Sequence, residues 1–194
     1  EFKLREGVKF HDGSDFDADD VVATVAFVAD PANGVKTQRN VNWMKSAEKI
    51  DQYTVRLHLK DAFPAAIEYL AGPVSIYPSD YYAEVGPSGM GLKPVGTGPY
   101  KVTSVEPGAH FVLVKNEDYF DGPKGMAEIG TIDVRTIPDV NTQMAELFSG
   151  TLDLIWQVPA DQAEQLEQMG RFTVANESTM RIGYIAMDAA GRSG

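Results

Sequence analysis

The chain has 194 residues, 43% hydrophobic and 23% charged, with no cysteine and a net charge of −11. An isoelectric point of about 4.6 argues against a nucleic-acid partner or an anionic membrane surface, because nothing in so acidic a chain would neutralise phosphates along a groove. The lack of cysteine excludes a disulfide framework and a thiolate metal site, and no apolar run approaches the length of a membrane span.

The opening is β-rich. Phe2, Leu4, Val8 and Phe10 are apolar positions around a Glu6-Gly7 turn, and His11-Asp12-Gly13 follows. Asp17 is placed to cap a helix, with Asp19 and Asp20 in its first turn against the positive end of the helix dipole. Val21, Val22, Val25, Val28 and Ala29 form its apolar stripe, and Asp30-Pro31-Ala32-Asn33-Gly34 ends it. Asp15, Asp17 and Asp19 share the alternation of a calcium loop. Asp20 stands where that loop needs Gly and Ala26 where it needs Glu, so capping is the better reading.

Residues 43–60 read as a hairpin, with Trp43 and Met44 packed and Tyr53, Val55, Leu57 and Leu59 alternating. Pro64 opens a helix that Gly72-Pro73 stops, and Ser79 or Asp80 caps a short helix carrying Tyr81 and Tyr82. Gly86 to Gly91 reads as a loop. It leads to Pro94-Val95-Gly96-Thr97-Gly98-Pro99-Tyr100-Lys101, whose two glycines and two prolines make a rigid elbow. Strand, turn and strand follow through Pro107-Gly108, and a strand through Ile129, Ile132, Val134 and Ile137. A helix from Asn141 or Thr142 closes at Gly150, and Leu152, Leu154, Ile155 and Trp156 read as a buried strand. Pro159 starts another helix that Gly170 ends. Phe172–Val174 and Met180–Ile185 read as the last strands. The style changes once, near residue 125. Hairpins and short helices come before it, and after it strands alternate with helices as in an α/β unit with parallel pairing. Glu1 to Arg5 already read as mid-strand and Ala189 to Gly194 as a loop that was cut, so a fragment of a longer chain is expected.

Chemistry is sparse. His11, His58 and His110 stand alone, without a second ligand at metal-binding spacing. His58 alternates outward, and His11 is placed to bond within its own turn. The elbow lacks the third glycine and the following helix of a nucleotide loop, and no Gly-x-Ser-x-Gly occurs. Carboxylates are plentiful, but no spacing singles out a pair, which leaves a glycosidase-type arrangement open. Trp156 lies just past a strand read as buried and before a helix, where ligands of α/β folds collect.

Several segments together resemble a known family. Phe2-Lys3-Leu4-Arg5-Glu6-Gly7-Val8-Lys9-Phe10-His11-Asp12-Gly13 with Ala18-Asp19-Asp20-Val21 is similar to the N-terminal signature of the family 5 extracellular solute-binding proteins. Gly96-Thr97-Gly98-Pro99-Tyr100 resembles that family's elbow. Asn116-Glu117-Asp118-Tyr119-Phe120 resembles its Arg-Asn-x-x-Tyr-Trp segment, with Lys115 for Arg and Phe120 for Trp. Ile137-Pro138-Asp139 and Ser149-Gly150-Thr151-Leu152-Asp153 resemble a further pair.

The resemblance implies a mixed α/β, class II periplasmic binding protein-like fold that closes over its ligand. Residues 1–125 would be the extra β-rich subdomain of lobe I and residues 126–194 part of its α/β region, with the second lobe absent. It implies a periplasmic protein, or a lipid-anchored one in a Gram-positive bacterium. Such a receptor has no catalytic residues, cofactor or metal. Its partners are a small solute, a peptide foremost, and the transmembrane subunits of an ABC permease. The family also carries nickel chelates, glutathione, opines and oligosaccharides, so the solute stays open. Trp156, Gln157 and Tyr184 are expected on the cleft side, with Tyr100 a further candidate. The alternatives are a secreted hydrolase of peptides or sugars, and a piece that serves only as a scaffold for the permease.

Overall fold

The helix expected after Asp17 forms as α1, Ala18–Ala29, in a computed structural model that describes residues 1–36, 38–72, 74–120, 122 and 125–177. A reciprocal capping box starts it. The Asp17 side chain accepts from the Asp19 N–H at 2.8 Å, and the Asp20 carboxylate accepts from the Asp17 N–H at 3.0 Å. The acidic cluster is thus spent on local structure. Asp15 and Asp19 turn outward to ion pairs with Lys9 and Lys49, each at 2.6 Å.

The chain divides into two compact units, Glu1–Thr136 and Ile137–Gly194. In the first, the hairpin read from residues 43–60 forms as β2, Met44–Asp51, and β3, Thr54–Leu59. The short β1, Phe2–Lys3, joins β3 to give an antiparallel sheet in the order β1-β3-β2. The inward face of α1 lies on this sheet. Ala18, Val21 and Val25 meet Val41, Trp43, Met44 and Val55, all buried. Trp43 stacks on Phe63 at 5.1 Å between ring centroids and donates its indole N–H to the Asn40 carbonyl at 2.7 Å. A buried indole with its one donor satisfied is a core residue.

The next helices are α2, Gln38–Val41, and α3, Ala66–Ala71. The region read as a short helix and a loop forms instead as α4, Ser79–Leu92, kinked at Gly86, whose φ of 65° and ψ of −175° are not helical. Gly86 breaks the ladder, and Pro87 then opens a second helical stretch where its missing N–H costs nothing. Neither Ser79 nor Asp80 supplies the cap. Pro78 occupies that position, and the free Ser79 N–H is taken at 2.8 Å by the buried carboxylate of Asp20. Phe10, Met90 and Val95 make a second buried cluster, with Phe16, Tyr81, Tyr82 and Val85 around it.

After the elbow, β4, Tyr100–Glu106, and β5, His110–Lys115, pair antiparallel as their alternation suggests. The strand read from Ile129 forms as β6, Thr131–Arg135, and pairs antiparallel with β5. The parallel pairing expected of this region is therefore corrected: every strand pair among the described residues is antiparallel. Alternation identifies a strand but carries no direction, and the long connection from Lys115 to Thr131 returns the chain beside β5.

The second unit is built on α5, Val140–Ser149, and α6, Ala160–Met169. Asp139 caps α5, accepting from both the N–H and the hydroxyl of Thr142 at 2.8 Å, and these bonds hold its carboxyl below the ordinary carboxylate range. Gly150 ends α5 in the left-handed region at φ 79°, as read from the sequence. Met144, Leu147 and Leu166 are buried between the helices, with Ile155, Val158, Phe172 and Val174 against them. Phe172–Val174 packs there as irregular chain and not as a strand, and Met180–Ile185 lies outside the described residues.

Candidate functional site

The segment between α5 and α6 departs most from its expected structure. Leu152 to Trp156 is not a strand, and two of its apolar side chains face out: Leu154 is 68% exposed and Trp156 63%. A strand needs a partner backbone, and none of the described strands runs beside this segment. The carbonyl of Glu146 accepts from the N–H groups of both Thr151 and Leu152, which fixes how the chain leaves α5. From there Ile155 and Val158 turn inward to the Met144–Leu147–Leu166 cluster while Trp156 stays outside.

Gln157 makes that reversal possible. Its φ is 59°, and it is the non-glycine residue with positive φ among those described. A side chain in the left-handed region costs about 1 kcal/mol. The strain lies beside the exposed Trp156. Replacing Gln157 with Gly relieves it, and the unfolding free energy is expected to rise by up to about 1 kcal/mol. Urea denaturation of the variant checks this, and a fall in stability would show that the Gln157 side chain makes a compensating contact.

Of the other expected site residues, Tyr100 lies at the start of β4. Its hydroxyl donates to the Ile129 carbonyl at 3.0 Å and its ring is half-buried, so its polar tip is already engaged. Tyr184 lies outside the described residues. Tyr100 belongs to the first compact unit, Trp156 and Gln157 to the second.

Two concavities in the first unit were not legible in the sequence. An apolar groove of about 390 Å³ runs between α1 and α4, walled by Phe27, Tyr77 and Tyr82. The Phe27 and Tyr77 rings both pack on Tyr82, at 5.2 and 5.4 Å between centroids, and burial raises the Tyr82 phenol above its ordinary pKa. A smaller cup of about 190 Å³ lies beside the elbow, lined by Arg5, Val8, Phe16, Ile76, Thr97 and Phe120. The Arg5 guanidinium lies 5.1 Å from the centre of the Phe120 ring. Phe120 stands at the position read as Trp in the resemblance, and it keeps the aromatic face that this contact requires.

The three histidines are engaged separately. His58 is exposed and faces Glu48 at 3.2 Å, and His110 lies between Asp133 at 3.0 Å and Glu106 at 3.4 Å. His11 does not bond within its own turn, as the sequence suggested. Its ring reaches across to the elbow, where Nε2 lies 3.0 Å from the Gly98 carbonyl. Among the described residues no group of three or more His, Asp or Glu is placed to hold a metal ion.

Comparison with known proteins matches residues 1–192 to a family model described as bacterial extracellular solute-binding proteins, family 5 middle. The chain belongs to that family. The glutathione-binding protein GsiB of Escherichia coli O1:K1 is 34% identical over 186 residues, covering 96% of this chain and 36% of that protein. The binding protein AgaA from A. tumefaciens R10, solved with agropinic acid, superposes with a TM-score of 0.78 at 32% identity, over 86% of this chain and 33% of its own. The periplasmic binding protein DppA of Helicobacter pylori, solved with the peptide STSA, gives 0.71 at 30% identity, over 86% and 36%. The chain thus spans about a third of the length of the family members it matches, and its mixed α/β fold is part of theirs. No described helix is long and apolar enough to cross a membrane.

Proposed function

We propose that this chain is part of an extracytoplasmic receptor that captures a small solute for an ABC importer and releases it unchanged to the membrane permease. The family match across residues 1–192 carries this reading. Here the chain supplies two parts of one lobe, and the solute is held between that lobe and another formed elsewhere in the longer protein. Relatives named for glutathione and for a bound peptide make a short peptide or peptide-like acid the first solute class to test. Trp156 is the ligand platform: its ring stands 63% exposed next to Gln157, the non-glycine residue with positive φ among those described, and backbone outliers of this kind gather at ligand sites.

Native mass spectrometry of the full-length receptor, purified without refolding, tests the function. A co-purifying small mass released intact on denaturation supports a receptor. A solute that is cleaved on incubation overturns it in favour of the hydrolase. Titration calorimetry with the identified solute then tests the site. Trp156→Ala is expected to weaken binding about tenfold or more, and Trp156→Phe to retain most of it. Unchanged affinity in Trp156→Ala removes Trp156 from the site and leaves the receptor reading standing.

A further inference from the structure

His11 and the elbow lie 85 to 87 residues apart in sequence and are joined by three hydrogen bonds. The His11 N–H donates to the Gly96 carbonyl at 2.8 Å, and the Gly96 N–H donates to His11 Nδ1 at 3.2 Å. Nε2 lies 3.0 Å from the Gly98 carbonyl, which also accepts from the side-chain amide of the buried Asn116 at 3.1 Å. These contacts dictate the tautomer. Nδ1 accepts, so it carries no proton, and Nε2 donates, so it carries the one proton of a neutral ring.

A second proton would have to go on Nδ1. It would then point at the Gly96 N–H, donor against donor, and the bond between them would be lost. We propose that His11 is an acid-sensitive clamp on the elbow: its neutral ring holds the Gly96 N–H and the Gly98 carbonyl, and protonation at Nδ1 releases the Gly96 N–H and leaves Gly96 tied by the His11 backbone N–H alone. The element it would loosen carries Thr97, which lines the cup beside Arg5 and Phe120.

The charged groups facing the ring are few. Lys101 on β4 disfavours a second positive charge, while Asp12 in the same turn favours it. Lys101 is itself paired with Asp118 at 3.4 Å, which moderates its influence. Burial is the strongest influence and holds the imidazole below its ordinary value of 6.5, although the bond to the Gly98 carbonyl favours the charged ring. Because the folded state resists the proton more than the unfolded chain does, the clamp is fully effective above about pH 6.5. Its contribution to stability declines as the pH falls from there and is lost through the lowered value of the folded protein, where the ring itself takes up the proton.

Two measurements on the intact protein test this. Nitrogen NMR of selectively labelled histidine reports the tautomer, and His11 is expected as the Nε2–H form at neutral pH. Hydrogen exchange of the elbow peptide containing Gly96, corrected for the intrinsic pH dependence of exchange, is expected to show protection falling about tenfold as His11 takes up its proton. His11→Phe keeps a ring of similar bulk but has no acceptor for the Gly96 N–H at any pH. Elbow protection in that variant is expected at the acid level throughout the pH range. If the variant does not fold, the wild-type measurements decide alone. An Nδ1–H tautomer at neutral pH, or protection that stays constant through His11 titration, overturns the clamp.

Discussion

Asp20→Ala is expected to lower the unfolding free energy of the first unit by about 2–4 kcal/mol, with urea denaturation as the measurement. Asp20 is 5% exposed, and each of its oxygens serves a different element. One accepts from the Asp17 N–H and closes the capping box of α1, while the other accepts from the Ser79 N–H at the start of α4. Alanine leaves two backbone donors without an acceptor and removes a negative charge from the positive end of α1. Asp20→Asn separates these effects. It keeps one acceptor but turns an N–H toward the second donor, so an intermediate loss is expected. Asp17→Ala serves as the comparison, since it removes one exposed cap bond and is expected to cost about 1 kcal/mol. If Asp20→Ala cost no more than Asp17→Ala, the bond to Ser79 would contribute nothing and α4 would be anchored by apolar packing alone.

Asp20 also marks a limit of what the sequence shows. Its place in the first turn of α1 was legible, because capping chemistry is local and depends on a spacing of three residues. The bond to Ser79 spans 59 residues and has no local signature. The same division runs through the chain. Gly150 was readable as a helix end because only a few residues accept its backbone angles, and the hairpin of β2 and β3 was readable from strict alternation. The direction of β6 was not, because alternation is the same for parallel and antiparallel neighbours. Leu152–Trp156 shows the reverse case. Its apolar run satisfies the pattern of a buried strand, yet a strand exists only with a partner, and Leu154 and Trp156 are left exposed.

The candidate site was legible to a similar extent. Trp156 could be singled out from its position before a helix. That Gln157 beside it holds a positive φ could not, since a glutamine announces no such conformation. His11 was noticed as a lone histidine and its partner was misplaced, because both of its side-chain contacts come from the elbow more than 80 residues later. The groove between α1 and α4 was missed for the same reason: Phe27, Tyr77 and Tyr82 meet only once the two helices pack. In each case chemistry confined to one turn or one helix was readable, and chemistry assembled from distant segments was not.

Met44→Ala is expected to cost about 3 kcal/mol, within the range for truncating a buried methionine. Met44 is 1% exposed and opens β2 opposite Leu59, inside the cluster that joins α1 to the sheet. Truncation removes transfer energy and leaves a cavity that its neighbours fill only in part. Those neighbours are constrained: Trp43 is stacked on Phe63 and hydrogen-bonded to Asn40, and Val25 and Val55 are each 1% exposed. The site therefore has little room to collapse, which places the cost well above that of a surface change. Met44→Leu nearly conserves volume and is expected to cost less than about 1.5 kcal/mol. A double-mutant cycle with Val25→Ala sharpens the test, because two truncations in one cluster share a cavity and do not add. Strict additivity with a small Met44→Ala effect would mean that α1 rests on the sheet through Ala18 and Val21 rather than through the Val25–Met44 layer, and the core would have to be redrawn around them.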